Sequence, residues 1–296
     1  MRTIERFICN RRYSALELTV YDRKDVRELD LYSDVKTVCT SMEFAPFLSY
    51  FHGLENLILT AGQSSPAAKE GVYLQKSIRS LIIDYDNEDS DDCYRINVAE
   101  FPNLECVFVR NIKNVQGVQM SASLKTLSVV NYSESDLSMI QGSNLDSLQI
   151  LRGKVRSLAG IERLPLKMLS LGNIPVKRID CLNDLKKIQL LEIDRCSKIE
   201  DMESLANNSI EYLILLGSQS VSSLDFLFNL PNLKRILLEW TVRSGDLSLL
   251  DQLEKAVLFT DKKFYNRKDG DLPKTEKPYD ITAVPMWRNI FSDRAL

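Results

Sequence analysis

The chain has 296 residues, 38 of them basic and 41 acidic, with a formal net charge of −3 at pH 7 and a pI near 5.5. That near-balance excludes the strong positive field of a protein built to bind nucleic acid, and no apolar run is long enough to span a membrane. The N-terminal stretch carries arginines but not the apolar core of a secretory signal, and the six cysteines (Cys9, Cys39, Cys93, Cys106, Cys181, Cys196) include no C-x-x-C pair, so buried, reduced thiols in a cytoplasmic protein are expected.

Residues 4–9 and 15–21 read as two strands around a polar turn, because Leu16, Leu18 and Val20 alternate with polar neighbours. Residues 1–25 are therefore expected to cap a core that begins downstream. From there a phrase L-x-x-L-x-L recurs. It is clearest as Leu145-Leu148-Ile150, Leu166-Leu169-Leu171, Ile188-Leu191-Ile193, Ile210-Leu213-Leu215 and Leu233-Ile236-Leu238, with first positions 21, 22, 22 and 23 residues apart. Weaker copies start at Val26, Leu54, Ile78, Leu104, Leu124 and Leu253. A fixed period of this length marks stacked repeats. Residues one apart on a strand share a face, so each phrase predicts one strand whose apolar side is buried only when neighbours stack against it.

The first intervals are long, which places insertions at residues 62–73 and 84–94 in the return paths between strands. Apolar residues at intervals of three to four, such as Val155, Leu158, Ile161 and Leu164, or Leu224, Leu227 and Leu230, read as short helical turns on those paths. After Phe259 the chain turns polar. Residues 260–278 read as an exit loop, and residues 284–291, with Trp287, Ile290 and Phe291 on one side of a short helix, as a C-terminal cap.

Over roughly residues 26–261 this pattern resembles the leucine-rich repeat family. The resemblance implies an α/β solenoid, a horseshoe with a parallel concave β-sheet, an irregular convex side and N- and C-terminal caps. The family consensus continues with asparagine or cysteine at the ninth position, where only Cys196 fits here. The missing asparagine ladder implies a divergent, irregular horseshoe. The division expected is a cap at 1–25, about eleven repeats at 26–261, and a tail with a second cap at 262–296.

Catalytic chemistry finds little support in the sequence. His52 is the sole histidine and sits in an apolar stretch, and no G-x-S-x-G elbow or other nucleophile motif accompanies it. Closely spaced Cys/His ligands for zinc and a glycine-rich phosphate loop are also missing. No enzyme activity, cofactor or metal is expected; a hydrolase site hidden in an insertion is the alternative. Asp84, Asp86, Glu88, Asp89, Asp91 and Asp92 form an acidic run that lacks the sixth-position glycine and twelfth-position glutamate of a calcium loop. It reads as a solvated insertion or a secondary docking surface for a basic partner.

The side chains between and after the inward leucines should project from the concave face. Two apolar zones are expected there, from Ile58 to Phe108 and from Ile214 to Phe259, around a polar middle. The candidate partner-binding residues are Arg152, Glu192, Asp194, Arg195, Tyr212, Ile214, Leu237, Glu239, Trp240 and Phe259, with Trp240 as anchor and the charges as specificity determinants. Within the family, an acidic member of this size resembles the bacterial immunity proteins that neutralise polymorphic or contact-dependent toxins. The expectation is a monomer that binds another protein, such as a cognate toxin domain, and neither nucleic acid nor membrane. A generic cytoplasmic adaptor and an injected effector engaging host proteins are the alternatives.

Overall fold

The computed structural model describes residues 2–8, 11–18, 29–32, 34–61, 65–85, 95–199, 201–207 and 209–274. The chain is an α/β protein of two compact units, Met1–Asn131 and Tyr132–Leu296, each built on a parallel sheet.

In the first unit β1 (Arg2–Ile8) and β2 (Arg11–Leu18) form an antiparallel hairpin. Beside β2 lie, all parallel, β3 (Thr37–Ser41), β4 (Asn56–Thr60), β5 (Ser80–Asp84), β7 (Cys106–Asn111) and β9 (Thr126–Asn131). The short strands β6 (Ile96–Asn97) and β8 (Val115–Gln116) pair separately on the return paths. The second unit carries β10 (Ser147–Ile150), β11 (Met168–Gly172), β12 (Leu190–Asp194), β13 (Tyr212–Leu216), β15 (Arg235–Leu238) and β17 (Lys255–Leu258), again parallel. A second two-stranded pair, β14 (Ser220–Val221) and β16 (Thr241–Val242), flanks it.

The sheet register lines up the expected phrases. In the second unit Leu148, Leu169, Leu191, Leu213, Ile236 and Ala256 are cross-strand partners in one column, and Ile150, Leu171, Ile193, Leu215, Leu238 and Leu258 in the next. All are buried. Each leucine so removed from water contributes about 1.5–3 kcal/mol, and a slip of one residue would turn both columns out to solvent. The first unit does the same with Leu57, Leu81, Val107 and Leu127 beside Leu59, Ile83, Val109 and Val129.

The first parallel strand after the hairpin is not where the spacing puts it. Leu29–Tyr32 is a 3-10 turn with Leu31 79% exposed, and the strand lies at Thr37–Ser41, where Val38 and Thr40 occupy the two columns. Threonine masks the phrase in sequence. It is tolerated in the core because its hydroxyl donates to the Leu18 carbonyl at 3.1 Å. The hairpin also starts earlier than expected, and Leu16 and Leu18 extend the columns onto β2. Val26 lies outside the described residues.

The return paths are mostly 3-10 turns, since a period near 22 residues leaves room for little more than one turn after the strand. Val155, Leu158, Ile161, Leu164, Leu224, Leu227 and Leu230 all point into the core there. The insertion expected at 62–73 folds into a helix, α1 (Pro66–Tyr73), capped by Ser65, whose Oγ accepts from the Ala68 amide at 3.1 Å, with Pro66 in the first turn. Gly71 lets this helix close on the preceding turn, because a Cβ there would lie 2.2 Å from the Ala45 carbonyl oxygen.

The polar stretch after Phe259 is not an exit loop over its described part. Tyr265 and Leu272 are buried, the Ala256 amide donates to the Pro273 carbonyl at 3.0 Å, and Lys274 bridges antiparallel to Lys255. Polar composition hid this return because the pairing is carried by backbone groups. The cap expected at 284–291, with Trp287, Ile290 and Phe291, lies outside the described residues.

The second position of successive phrases alternates in sign: Lys36, Glu55, Arg79, Glu105 and Lys125 in the first unit, and Asp146, Lys167, Gln189, Glu211, Lys234 and Glu254 in the second, with Gln189 the neutral member. Ion pairs follow at Lys36–Glu55 (3.6 Å), Arg79–Glu105 (2.6 Å), Asp146–Lys167 (3.5 Å) and Glu211–Lys234 (2.7 Å). Solvent keeps each pair small, so Lys234→Glu should lower stability by about 1 kcal/mol through lost attraction and new repulsion from Glu211. Urea melts of the variant check this value.

Candidate interaction surface

In the second unit the sheet face opposite the leucine columns carries the third, fifth and seventh positions of each phrase. Cross-strand pairing sets Glu192 between Ser170 and Ile214, Leu237 beyond Ile214, and Asp194 between Gly172 and Leu216. The strands bring the expected candidates together, but not as an open apolar surface. Glu192 and Tyr212 are each 9% exposed, Ile214 and Leu237 4%, and Trp240 3%. Strands about 4.8 Å apart pack fifth-position side chains into a continuous row, so these residues shield one another. The apolar zone expected in the first unit meets the same correction. Ile58 and Ile82 are buried and Phe108 is half-buried.

Trp240 is a core residue rather than an anchor. It follows the strand end, its Nε1 donates to the Leu216 carbonyl at 2.9 Å, and its ring borders a cavity of about 210 Å³ that Met202, Phe226, Glu203 and Arg243 also line. Tyr212 faces the Arg235 guanidinium 5.7 Å from its ring centroid. Burial pushes its phenol pKa upward, opposed by that positive charge.

The residues that do present themselves lie where the strands end. Arg152, Arg195 and Glu239 are exposed, Phe259 is 50% exposed, and Asp194 is partly so. Asp194 Oδ2 lies 3.7 Å from the Arg195 guanidinium, and Glu239 accepts from the Gly217 amide at 2.7 Å. Arg195 has φ +51°, in the left-handed region, as does Asn173 at the same phrase position one strand earlier, while Gly217 takes it one strand later. A residue with a Cβ is strained there and glycine is not. The Arg195 amide donates to the Leu216 carbonyl at 2.9 Å, which fixes the turn.

Among the acidic residues 84–92, Asp84 alone is described, and it is not a free docking charge. Arg110, on the adjacent strand, donates from Nε to its carboxylate at 2.6 Å. Asp86, Glu88, Asp89, Asp91 and Asp92 lie outside the described residues. His52 is an exposed turn residue. Among the described residues no cluster of three His, Cys, Asp or Glu side chains could hold a metal, and no helix is long and apolar enough to cross a membrane. Burial pushes the Cys181 and Cys196 thiols up to about 11, so both stay protonated and unreactive near neutrality. Cys196 Sγ instead donates to the Leu171 carbonyl at 3.3 Å, on the preceding strand.

Sequence reasoning passed over a group of cations just beyond the eighth phrase position: Lys154, Arg156 and Lys198, all exposed. Counting each repeat past its strand, as far as the following turn, would have exposed them. No protein-family model matches the sequence, and no curated protein matches it either.

Proposed function

We propose that the chain is a leucine-rich repeat solenoid whose work is to bind another protein, and that it acts as a cytoplasmic bacterial immunity protein, monomeric when free, neutralising a cognate toxin. The aligned leucine columns, and the Cys196 thiol closing onto the preceding repeat at the position the family fills with asparagine or cysteine, support the repeat reading. The observation that carries the binding reading is Arg195. Its backbone is held in a left-handed conformation that glycine adopts more cheaply, and its guanidinium side chain is 72% exposed beside Asp194. Strain at an exposed residue on a rigid platform is a mark of a functional position, and arginine is favoured at interface hot spots.

Two measurements test this reading. The wild-type chain, co-expressed with the product of the adjacent gene, is expected to hold it in a stable complex and suppress its toxicity; a chain that retains nothing and protects nothing would defeat the proposal. Arg195→Gly should raise the stability of the free chain modestly, because the relief of about 1–2 kcal/mol of left-handed backbone strain exceeds the added chain entropy of about 0.4–1 kcal/mol, while weakening the complex at least about tenfold. Calorimetry and thermal melts on the same preparation separate the two effects, and unchanged affinity would remove Arg195 from the interface.

A further inference from the structure

The two flanks of the second unit's sheet treat charge differently. At the strand starts, cations meet carboxylates on the next strand: Lys167 with Asp146 at 3.5 Å, Lys234 with Glu211 at 2.7 Å, and Arg235 with Glu254 at 3.9 Å. Although after β11 Arg178 pairs with Asp180 at 2.9 Å, beyond the ends of β10 and β12 four cations do not. Arg152, Lys154, Arg156 and Lys198 are exposed there, and no described carboxylate lies within ion-pair distance of any of them. Arg195, between them, reaches only its own neighbour Asp194.

Backbone bonds fix the chain at Lys154, Arg156 and Arg195. The Lys154 amide donates to the Tyr132 carbonyl at 2.8 Å and the Arg156 amide to the Ser135 carbonyl at 2.9 Å, while the Asn173 amide donates to Asp194 at 2.7 Å and the Arg195 amide to Leu216 at 2.9 Å. The register Ile150–Leu171–Ile193 sets the three exits side by side, and the strip, with its cations after β10 and β12, spans three strands, or roughly 10 Å across them. The carboxylates of this flank are otherwise engaged. Asp180 is held by Arg178 at 2.9 Å, Asp136 accepts from the Ser138 amide at 2.9 Å, and Glu134 is in contact with Ser133 at 3.5 Å.

We infer that this strip, formed by Arg152, Lys154, Arg156 and Lys198 around Arg195, is the docking surface for an acidic patch on a folded protein partner. The inference rests on the protein-binding reading above and adds the chemistry of the partner. Arg152, Lys154, Arg156 and Lys198 make no ion pair with a described carboxylate, so an acidic surface laid over the strip would meet positive charge that is not yet directly engaged. An acidic protein fits better than a nucleic acid. Asp180 and Asp194 are interleaved with the cations, and a chain of net charge −3 opposes a long polyanion that runs past the strip.

Fluorescence anisotropy with labelled oligoglutamate, and with a single-stranded DNA oligonucleotide of matched charge, tests the assignment on the full chain. The oligoglutamate should bind at low salt and weaken as salt is raised. Lys154→Glu with Lys198→Glu should reduce its affinity at least about tenfold without moving the thermal midpoint, since both side chains are exposed. Lys167→Glu with Lys234→Glu, the same charge change at the strand starts, should leave affinity within about twofold. No binding of oligoglutamate, equal loss in both double variants, or tighter binding of the DNA would each overturn the proposal. Because the probe is synthetic, these results do not depend on the adjacent gene's product. The strip can fail while a toxin complex still forms, and the immunity reading can fail while the strip still binds acidic peptide.

Discussion

Replacing Leu191 by alanine is expected to lower the unfolding free energy by about 2–5 kcal/mol. Leu191 is fully buried and pairs in register with Leu169 on one side and Leu213 on the other. Truncating it leaves a void that the flanking columns cannot fill, because backbone hydrogen bonds on both edges of β12 hold the strand spacing. Because β12 is paired on both sides, with β11 and with β13, the loss falls on two strand interfaces at once. Urea titration reads the effect as a lower midpoint. Lys198→Ala, exposed and outside the columns, should stay within about 0.5 kcal/mol of the parent. A Leu191→Ala midpoint as close to the parent as that of Lys198→Ala would mean that the columns do not carry the stability of the second unit.

The columns were legible because leucine, isoleucine and valine repeat at a spacing that only stacked strands explain. What hid the rest was chemistry the alphabet of apolar residues does not record. Thr40 fills a core position with a hydroxyl satisfied by the Leu18 carbonyl, so apolar spacing points to Leu29 and Leu31 instead of the strand at Thr37–Ser41. The return of residues 272–274 onto β17 uses backbone groups and leaves no side-chain pattern.

The candidate site was legible only in part. Which residues share the sheet face follows from strand alternation, and the structure places Glu192, Asp194, Tyr212, Ile214 and Leu237 on it as expected. How much of each reaches solvent does not follow, because it depends on the neighbours in the row. A reversal such as Glu192→Arg would therefore push a guanidinium into a 9%-exposed position and perturb the fold before it informed on binding. Arg152 and Arg195, past the strand ends, have no such row beside them.

Trp240→Ala is expected to cost about 3–5 kcal/mol, and to do so in the free chain, before any partner is added. The indole is 3% exposed, and its removal would open the adjoining cavity of about 210 Å³ further into the core. It would also strip one of two donors from the Leu216 carbonyl, which accepts from Trp240 Nε1 and from the Arg195 amide, each at 2.9 Å. That shared carbonyl ties the buried ring to the strained turn, so the alanine variant should loosen Arg195 as well. Trp240→Phe separates the contributions. It keeps most of the bulk and loses only the hydrogen bond, for a cost of about 1 kcal/mol. Amide hydrogen exchange at Arg195, measured alongside the melts, should quicken strongly in the alanine variant and slightly in the phenylalanine one. If Trp240→Ala instead melted with the parent and weakened only a complex, the ring would be surface-bound and the packing of β13 against the turn after β15 would need to be redrawn.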